Sequence, residues 1–150
     1  MELILWRHAD AEEGTLDLSR QLTENGLKQA EKMAAWLKAE ISRDVRVLSS
    51  PALRAQQTAM ALCDDFEIVP ALEPGTSPNQ LLAAADWPYA SGTVIVVGHQ
   101  PTLGETARLI LSEIPSGLYF KTCAVVWFSY RLSEDIASVN LRTVMYPEML

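Results

Sequence analysis

Short apolar runs rich in β-branched residues alternate along this chain with longer stretches of helical periodicity, and that alternation restricts it to an architecture built from βαβ units. Leu3-Ile4-Leu5-Trp6, Val45-Arg46-Val47-Leu48-Ser49 and Thr93-Val94-Ile95-Val96-Val97-Gly98 read as buried strands. The first runs into Arg7-His8 and the third into His99, which are the chain's two histidines. In an open parallel sheet, ligands bind outside the carboxyl ends of the strands, so imidazoles at two such ends face one crevice. The second run leads into Ser50-Pro51-Ala52-Leu53-Arg54 and brings another arginine to the same rim.

Between the runs, the punctuation is that of helices. A polar segment from Asp10 to Gln21 is long enough to cover a site, and Thr23 then offers an N-cap for a helix to about Glu40. Leu27, Ala30, Met33, Ala34, Leu37 and Ile41 form the stripe expected to pack on the sheet. Pro51 is expected in the first turn of a second helix, with Arg54 close behind and Ala55, Ala59 and Leu62 as core contacts. A short strand over Phe66 to Val69 precedes a loop from Pro70 to Pro78, a natural site wall, and a helix around Asn79 to Ala85. Pro101 is expected to open a further helix through Leu103, Ala107 and Leu111 that ends before Pro115 and Gly117. Cys123 to Leu132 and Ile136 to Val144, around Ser133-Glu134-Asp135, read as a hairpin. The expected fold is α/β and three-layered. A mostly parallel central sheet is flanked by helices and ends in an antiparallel C-terminal hairpin, in one domain over residues 1–150.

Composition narrows the partners. At 150 residues the chain can bury a core without metal or disulfide, and a net charge of -7 without a Lys/Arg stripe argues against nucleic acid. Cys63 and Cys123 sit among apolar residues without Cys-x-x-Cys spacing, which points to structural thiols in a reducing compartment. The first residues lack a signal-like pattern, and no apolar run approaches the roughly 20 residues of a membrane span. The expectation is a soluble cytoplasmic protein that does not engage a membrane. Trp6, Trp36, Trp87 and Trp127 are read as packing residues.

Two guanidinium groups and two imidazoles at one rim suit work on a phosphoryl group, because the arginine fork matches phosphate oxygens and stabilises their charge. The helix entrance after His99 adds backbone N–H groups and the positive end of a dipole. The chain has no Gly-x-Ser-x-Gly elbow, no cysteine in an arginine-rich loop and no Gly-x-x-x-x-Gly-Lys-Ser/Thr loop. An imidazole nucleophile remains, able to attack phosphorus when its other ring nitrogen is held as a donor.

Arg7-His8-Ala9 after the first strand, Ser50-Pro51-Ala52-Leu53-Arg54-Ala55-Gln56-Gln57-Thr58 and Gly98-His99-Gln100-Pro101, in this order and at strand ends, resemble the histidine phosphatase superfamily, which is phosphoglycerate mutase-like. With Arg7-His8-Ala9-Asp10-Ala11 near its start and Arg20-Gln21-Leu22-Thr23-Glu24-Asn25-Gly26 following, the chain most resembles the small phosphohistidine phosphatases of the SixA type. The resemblance implies that His8 accepts the phosphoryl group and that Arg7 and Arg54 clamp it. By the same likeness His99 contacts the oxygens and supports the developing charge, and Arg20 matches a further substrate-contacting position. Water then attacks the phosphohistidine and inorganic phosphate leaves, with no metal or other cofactor. The implied partner is a phosphohistidine-bearing protein or a small phosphorylated substrate; histidine-containing phosphotransfer domains and phosphocarriers are the analogues.

The chain also departs from the family. Ala9 stands where the family usually has glycine, and would cost on the order of 1 kcal/mol if the position needs a positive φ. Many relatives carry a carboxylic acid on an inserted segment that protonates the leaving oxygen, and this chain has little room for one. Glu73 and Asp10 are the candidate acids, weighed against a solvated loop carboxylate and a brace of the first loop. An imidazole leaving group needs such an acid less, so the missing insertion favours P–N over P–O substrates. Two other readings stay open: a small phosphomonoester phosphatase that uses Glu73 or Asp10 as acid, and a module that binds phosphate or phosphohistidine without turnover.

Overall fold

The computed structural model of the chain describes residues 1–42, 44–112 and 119–150. In chain order its elements are β1 (Glu2–Arg7), α1 (Glu24–Glu40), β2 (Val45–Ser49), α2 (Leu53–Leu62), β3 (Glu67–Ile68), α3 (Pro78–Ala84), β4 (Thr93–Gly98), α4 (Thr102–Leu111), β5 (Val125–Ser133) and β6 (Ile136–Met145). Single 3₁₀ turns lie at Asp17–Ser19, Pro70–Leu72 and Pro147–Met149. The strands form a six-stranded sheet in the order β3-β2-β4-β1-β5-β6. The pairs β3/β2, β2/β4 and β4/β1 are parallel, while β1/β5 and β5/β6 are antiparallel.

Strand alternation divides the interior between the two faces of this sheet. Ile4, Trp6, Val47, Ile95 and Val97 point to one side, against Ala30, Met33, Ala34 and Leu37 of α1 and Ala55, Ala59 and Leu62 of α2. Leu3, Leu5, Leu48, Val94 and Val96 point to the other, against Leu81 of α3 and Leu103 and Ala107 of α4. Each fully buried Met or Leu in these layers contributes roughly 1.5–3 kcal/mol of apolar burial. The result is the expected three-layer α/β arrangement with its antiparallel hairpin. The hairpin turns through Glu134 and Asp135, both at positive φ, as a two-residue turn between right-twisted strands requires.

Several boundaries differ from the sequence reading. Leu27 is exposed: it lines an open groove between α1 and α2, beside Gln57, Met60 and Ala61. Ile41 is the C-cap of α1 and only partly buried. Pro51 lies two residues ahead of α2; Ala52 is the N-cap, and the Pro51 carbonyl accepts the Gln56 side-chain amide at 2.7 Å. The strand expected over Phe66 to Val69 is reduced to Glu67–Ile68 at the sheet edge. α3 begins one residue earlier than expected, behind a capping box in which Ser77 and Gln80 satisfy each other's backbone donors. Pro115 and Gly117 lie outside the described residues. Both cysteines are free thiols; Cys123 is buried and Cys63 half-buried.

Candidate active site

β1 and β4 are parallel neighbours in register, Arg7 beside Gly98, so the residue that follows each strand emerges at the same height. His8 and His99 are those residues, and their ring centres are 5.2 Å apart. The backbone around them is pinned: His8 N–H donates to the Gly98 carbonyl at 3.1 Å, Cys123 N–H to the His8 carbonyl at 3.0 Å and Ser50 N–H to the Val97 carbonyl at 3.0 Å. β2, on the other side of β4, delivers Ser50 and then Arg54 in the first turn of α2. The sheet topology thus brings His8, Arg54 and His99 together from three distant parts of the chain.

The hydrogen bonds fix a tautomer for each ring. His8 Nδ1 lies 2.8 Å from the Ala9 carbonyl, an acceptor only, so Nδ1 carries the proton. Its Nε2 is left with a lone pair, which accepts from Arg54 Nε at 3.3 Å. His99 Nδ1 faces Arg54 Nη2, a donor, at 3.4 Å, so its proton sits on Nε2 and is donated to Ser50 Oγ at 2.7 Å. Ser50 Oγ also accepts the Ala52 N–H, which ties the α2 N-cap to this ring.

Both imidazoles are neutral at pH 7. Burial pushes His8 down to about 4 against the upward pull of its bond to the Ala9 carbonyl, and Arg54 and Arg7 push the same way as burial. His99 falls to about 3, first through burial and then through His8 and Arg54. The Arg54 side chain is 4% exposed, and burial lowers its pKa against the hydrogen bond it donates to Asp17, which raises it. It remains a cation.

Arg7 lies at the opposite edge of the crevice. Its Nη1 donates to the Phe120 carbonyl and, at 3.4 Å, to the Tyr119 hydroxyl, and its guanidinium carbon is 5.6 Å from the Tyr119 ring centre. Arg7 Nε is buried with no hydrogen-bond partner among the described residues, a donor that an anionic ligand would satisfy.

The remaining expected positions fall in different places. Arg20 donates Nε to Asp17 Oδ1 at 3.1 Å and Nη1 to the Glu12 carbonyl at 3.1 Å. The Asp10 carboxylate accepts the Thr23 hydroxyl at 2.7 Å at the start of α1, which is the bracing arrangement. Glu73 is exposed at the end of the Pro70–Leu72 turn. Ala9 is not among the residues at positive φ, so alanine carries no backbone strain there. It is fully buried and donates its N–H to Thr58 Oγ1 at 3.0 Å.

Three site residues escaped the sequence reading. Ser50 follows β2 as the histidines follow β1 and β4, a signal that was available. Thr58 lies one helical turn after Arg54 and links the Ala9 N–H to the Arg54 carbonyl, the latter at 2.7 Å. Asp17 accepts from Arg54 twice, through its backbone carbonyl from Nη1 at 2.7 Å and through Oδ2 from Nη2 at 3.2 Å. Partial desolvation raises its carboxyl, and hydrogen bonds from Arg20 and Arg54 outweigh this and hold it below the ordinary carboxylate range. Among the described residues no group of three or more His, Cys, Asp or Glu side chains is placed to hold a metal ion. No described helix is long and apolar enough to cross a membrane.

Fold and site together define an α/β protein with paired neutral imidazoles between arginines at the carboxyl ends of parallel strands. The family model of the histidine phosphatase superfamily (branch 1) matches residues 3–76. Phosphohistidine phosphatase SixA of Escherichia coli K12 is 35% identical, over 83% of each chain. A structure of the protein histidine phosphatase SixA complexed with tungstate superposes with a TM-score of 0.75, at 30% identity over 99% of both chains. A SixA structure from Agrobacterium tumefaciens gives a TM-score of 0.79 at 26% identity, covering 97% of this chain and 98% of that one. The chain belongs to the histidine phosphatase superfamily, and is a phosphatase of the SixA-like kind.

Proposed function

We propose that this phosphatase hydrolyses phosphohistidine, on a protein or a small mimic, through a covalent phosphoryl intermediate on His8. The observation that carries the proposal is the His8 ring itself: Nδ1–H is locked to the Ala9 carbonyl and the Nε2 lone pair points into the crevice between Arg54 and His99. Nε2 attacks phosphorus, the P–N bond to the substrate imidazole breaks, and that imidazole, protonated on its other nitrogen, departs neutral. As the lone pair engages phosphorus, the Arg54 Nε–H turns from nitrogen to a phosphoryl oxygen. Arg7 Nε supplies a second donor. Water then attacks the phosphorylated His8, and the P–N bond cleaves to give inorganic phosphate and restore the lone pair. His99, whose Nε2–H stays on Ser50 Oγ, accepts from Arg54 Nη2 through Nδ1 and so keeps that guanidinium edge aimed at the phosphoryl seat.

A P–N substrate is favoured by the state of the carboxylates. Asp10 is engaged by the cap of α1, and Asp17, the carboxylate at the arginines, is held ionised and has no proton to give a leaving alkoxide at pH 7. The tungstate held by the SixA structure is a tetrahedral oxyanion of the same shape as phosphate. The natural substrate is inferred to be a phosphohistidine-bearing protein.

The test is phosphate release from a phosphohistidine-bearing protein by the wild type and by His8→Ala, with a phosphoserine protein as control. Release should fall by at least about 10³-fold in the variant and be much slower on phosphoserine. Near wild-type turnover by His8→Ala would remove the nucleophile assignment. Tight phosphate binding without a phosphoenzyme would select the non-catalytic module.

A further inference from the structure

Arg54 is the most heavily used side chain of the crevice. A guanidinium has five N–H donors, and those of Arg54 reach His8 Nε2, His99 Nδ1, the Asp17 carbonyl and Asp17 Oδ2. A phosphoryl group on His8 needs this same edge. The Nε–H passes to it as the lone pair is consumed, but the Nη2–H on Asp17 Oδ2 becomes available only when the carboxylate leaves. Resting on the reading of the crevice as a phosphoryl site, we infer that the Asp17 carboxylate occupies the seat of a phosphoryl oxygen on Arg54, and that displacing it sets which phosphates the site admits.

The two partners are unequal in mobility. The Arg54 side chain is 4% exposed and held from several sides, whereas that of Asp17 is 55% exposed on a single 3₁₀ turn. The carboxylate is therefore the group that moves. A second seat awaits it, because Oδ1 already accepts from Arg20 Nε at 3.1 Å and lies 3.0 Å from Arg20 Nη2. Swinging away from Arg54 costs it one bond and keeps two. The backbone contact from Arg54 Nη1 to the Asp17 carbonyl can persist throughout, so the turn need not unfold.

Selectivity follows from what does the displacing. Free inorganic phosphate must expel the carboxylate by charge alone and against the repulsion of like charges. A phosphohistidine on a protein surface brings additional contact area. The turn offers Leu16 and Leu18 on either side of Asp17, 73% and 49% exposed, where a partner surface can press. Asp17 is thus a specificity-determining residue that weakens binding of small phosphates, including the product, relative to protein-borne phosphohistidine.

Asp17→Asn removes the charge and preserves the backbone contact. Binding of inorganic phosphate and of tungstate, measured by calorimetry on wild type and Asp17→Asn, should be tighter in the variant by at least about tenfold. Product inhibition by phosphate should strengthen by the same factor. Equal or weaker anion binding by a folded Asp17→Asn, checked by circular dichroism, would overturn the inference and make Asp17 a positioning residue for Arg54. Absence of anion binding by both proteins would instead defeat the reading of the crevice as a phosphoryl site. Arg20→Gln supplies an independent arm. It removes the second seat, so it should weaken phosphate binding more in the wild-type background than in Asp17→Asn. Equal weakening in both backgrounds would mean that Arg20 only contacts the anion and would likewise count against the displaced carboxylate.

Discussion

A neutral imidazole held between arginines ties the stability of the fold to pH with a definite sign. The unfolded chain protonates its histidines near pH 6.5, but the folded chain protonates His8 only near pH 4 and His99 near pH 3. Unfolding therefore takes up protons between those values, and stability that is full above pH 6.5 is lost as the pH falls. Each histidine accounts for up to about 1.4 kcal/mol per pH unit in that window. Urea midpoints between about pH 6.5 and 5, above the range where ordinary carboxylates titrate, should fall along this slope. His99→Gln removes one of the two titrations and should roughly halve it. An unchanged slope in that variant would show that His99 is not the group responsible.

At the scale of the element, the crevice depends on how closely α1 approaches the loop after β1. Gly26, in the first turn of α1, leaves no room for a side chain: a Cβ there would lie 2.0 Å from the Asp10 carbonyl oxygen. The approach is closed by Thr23, whose N–H donates to that carbonyl at 3.0 Å and whose hydroxyl donates to the Asp10 carboxylate. Gly26→Ala must push the helix or the loop away, which should cost about 2–4 kcal/mol in denaturant unfolding. Anion affinity should fall with it, since His8 and Ala9 lead directly into the displaced segment. Wild-type stability for Gly26→Ala would mean that the loop yields freely. Leu27 fits the apolar stripe of α1 by spacing but stays exposed, because it lies in an open groove between α1 and α2. The strands, helices and hairpin were legible because period-2 and period-3.6 patterns report directly on which face is buried. His8 and His99 were legible as strand-end residues, and Arg54 as the arginine that the segment after β2 carries to the same rim. Asp17 was not, because it reaches Arg54 from an irregular polar segment where spacing carries no information. Pro51 misled because proline at the first helical turn and proline just ahead of it look alike in sequence.

Over the whole molecule, the net charge of -7 sets how a partner arrives. The cationic groups of the site are few and partly buried, so long-range attraction toward an acidic or neutral protein is weak. The kcat/KM on a phosphohistidine-bearing protein should stay within about twofold as ionic strength rises from roughly 0.02 to 0.2 M, or increase as repulsion is screened. A steep fall in that series would reveal a steering patch and would make charge, not contact area, the basis of encounter. One topological feature of the sheet also bears on how the enzyme comes into being. β1, although first in the chain, lies between β4 and β5, and both of its neighbours come from far downstream. During synthesis from the amino terminus, the strand that ends in His8 has no partner on either edge until β4 has emerged. If His8 is the nucleophile proposed above, it is therefore made before the strands that enclose it, and a growing chain cannot seat its His8 between β4 and β5 until both have followed.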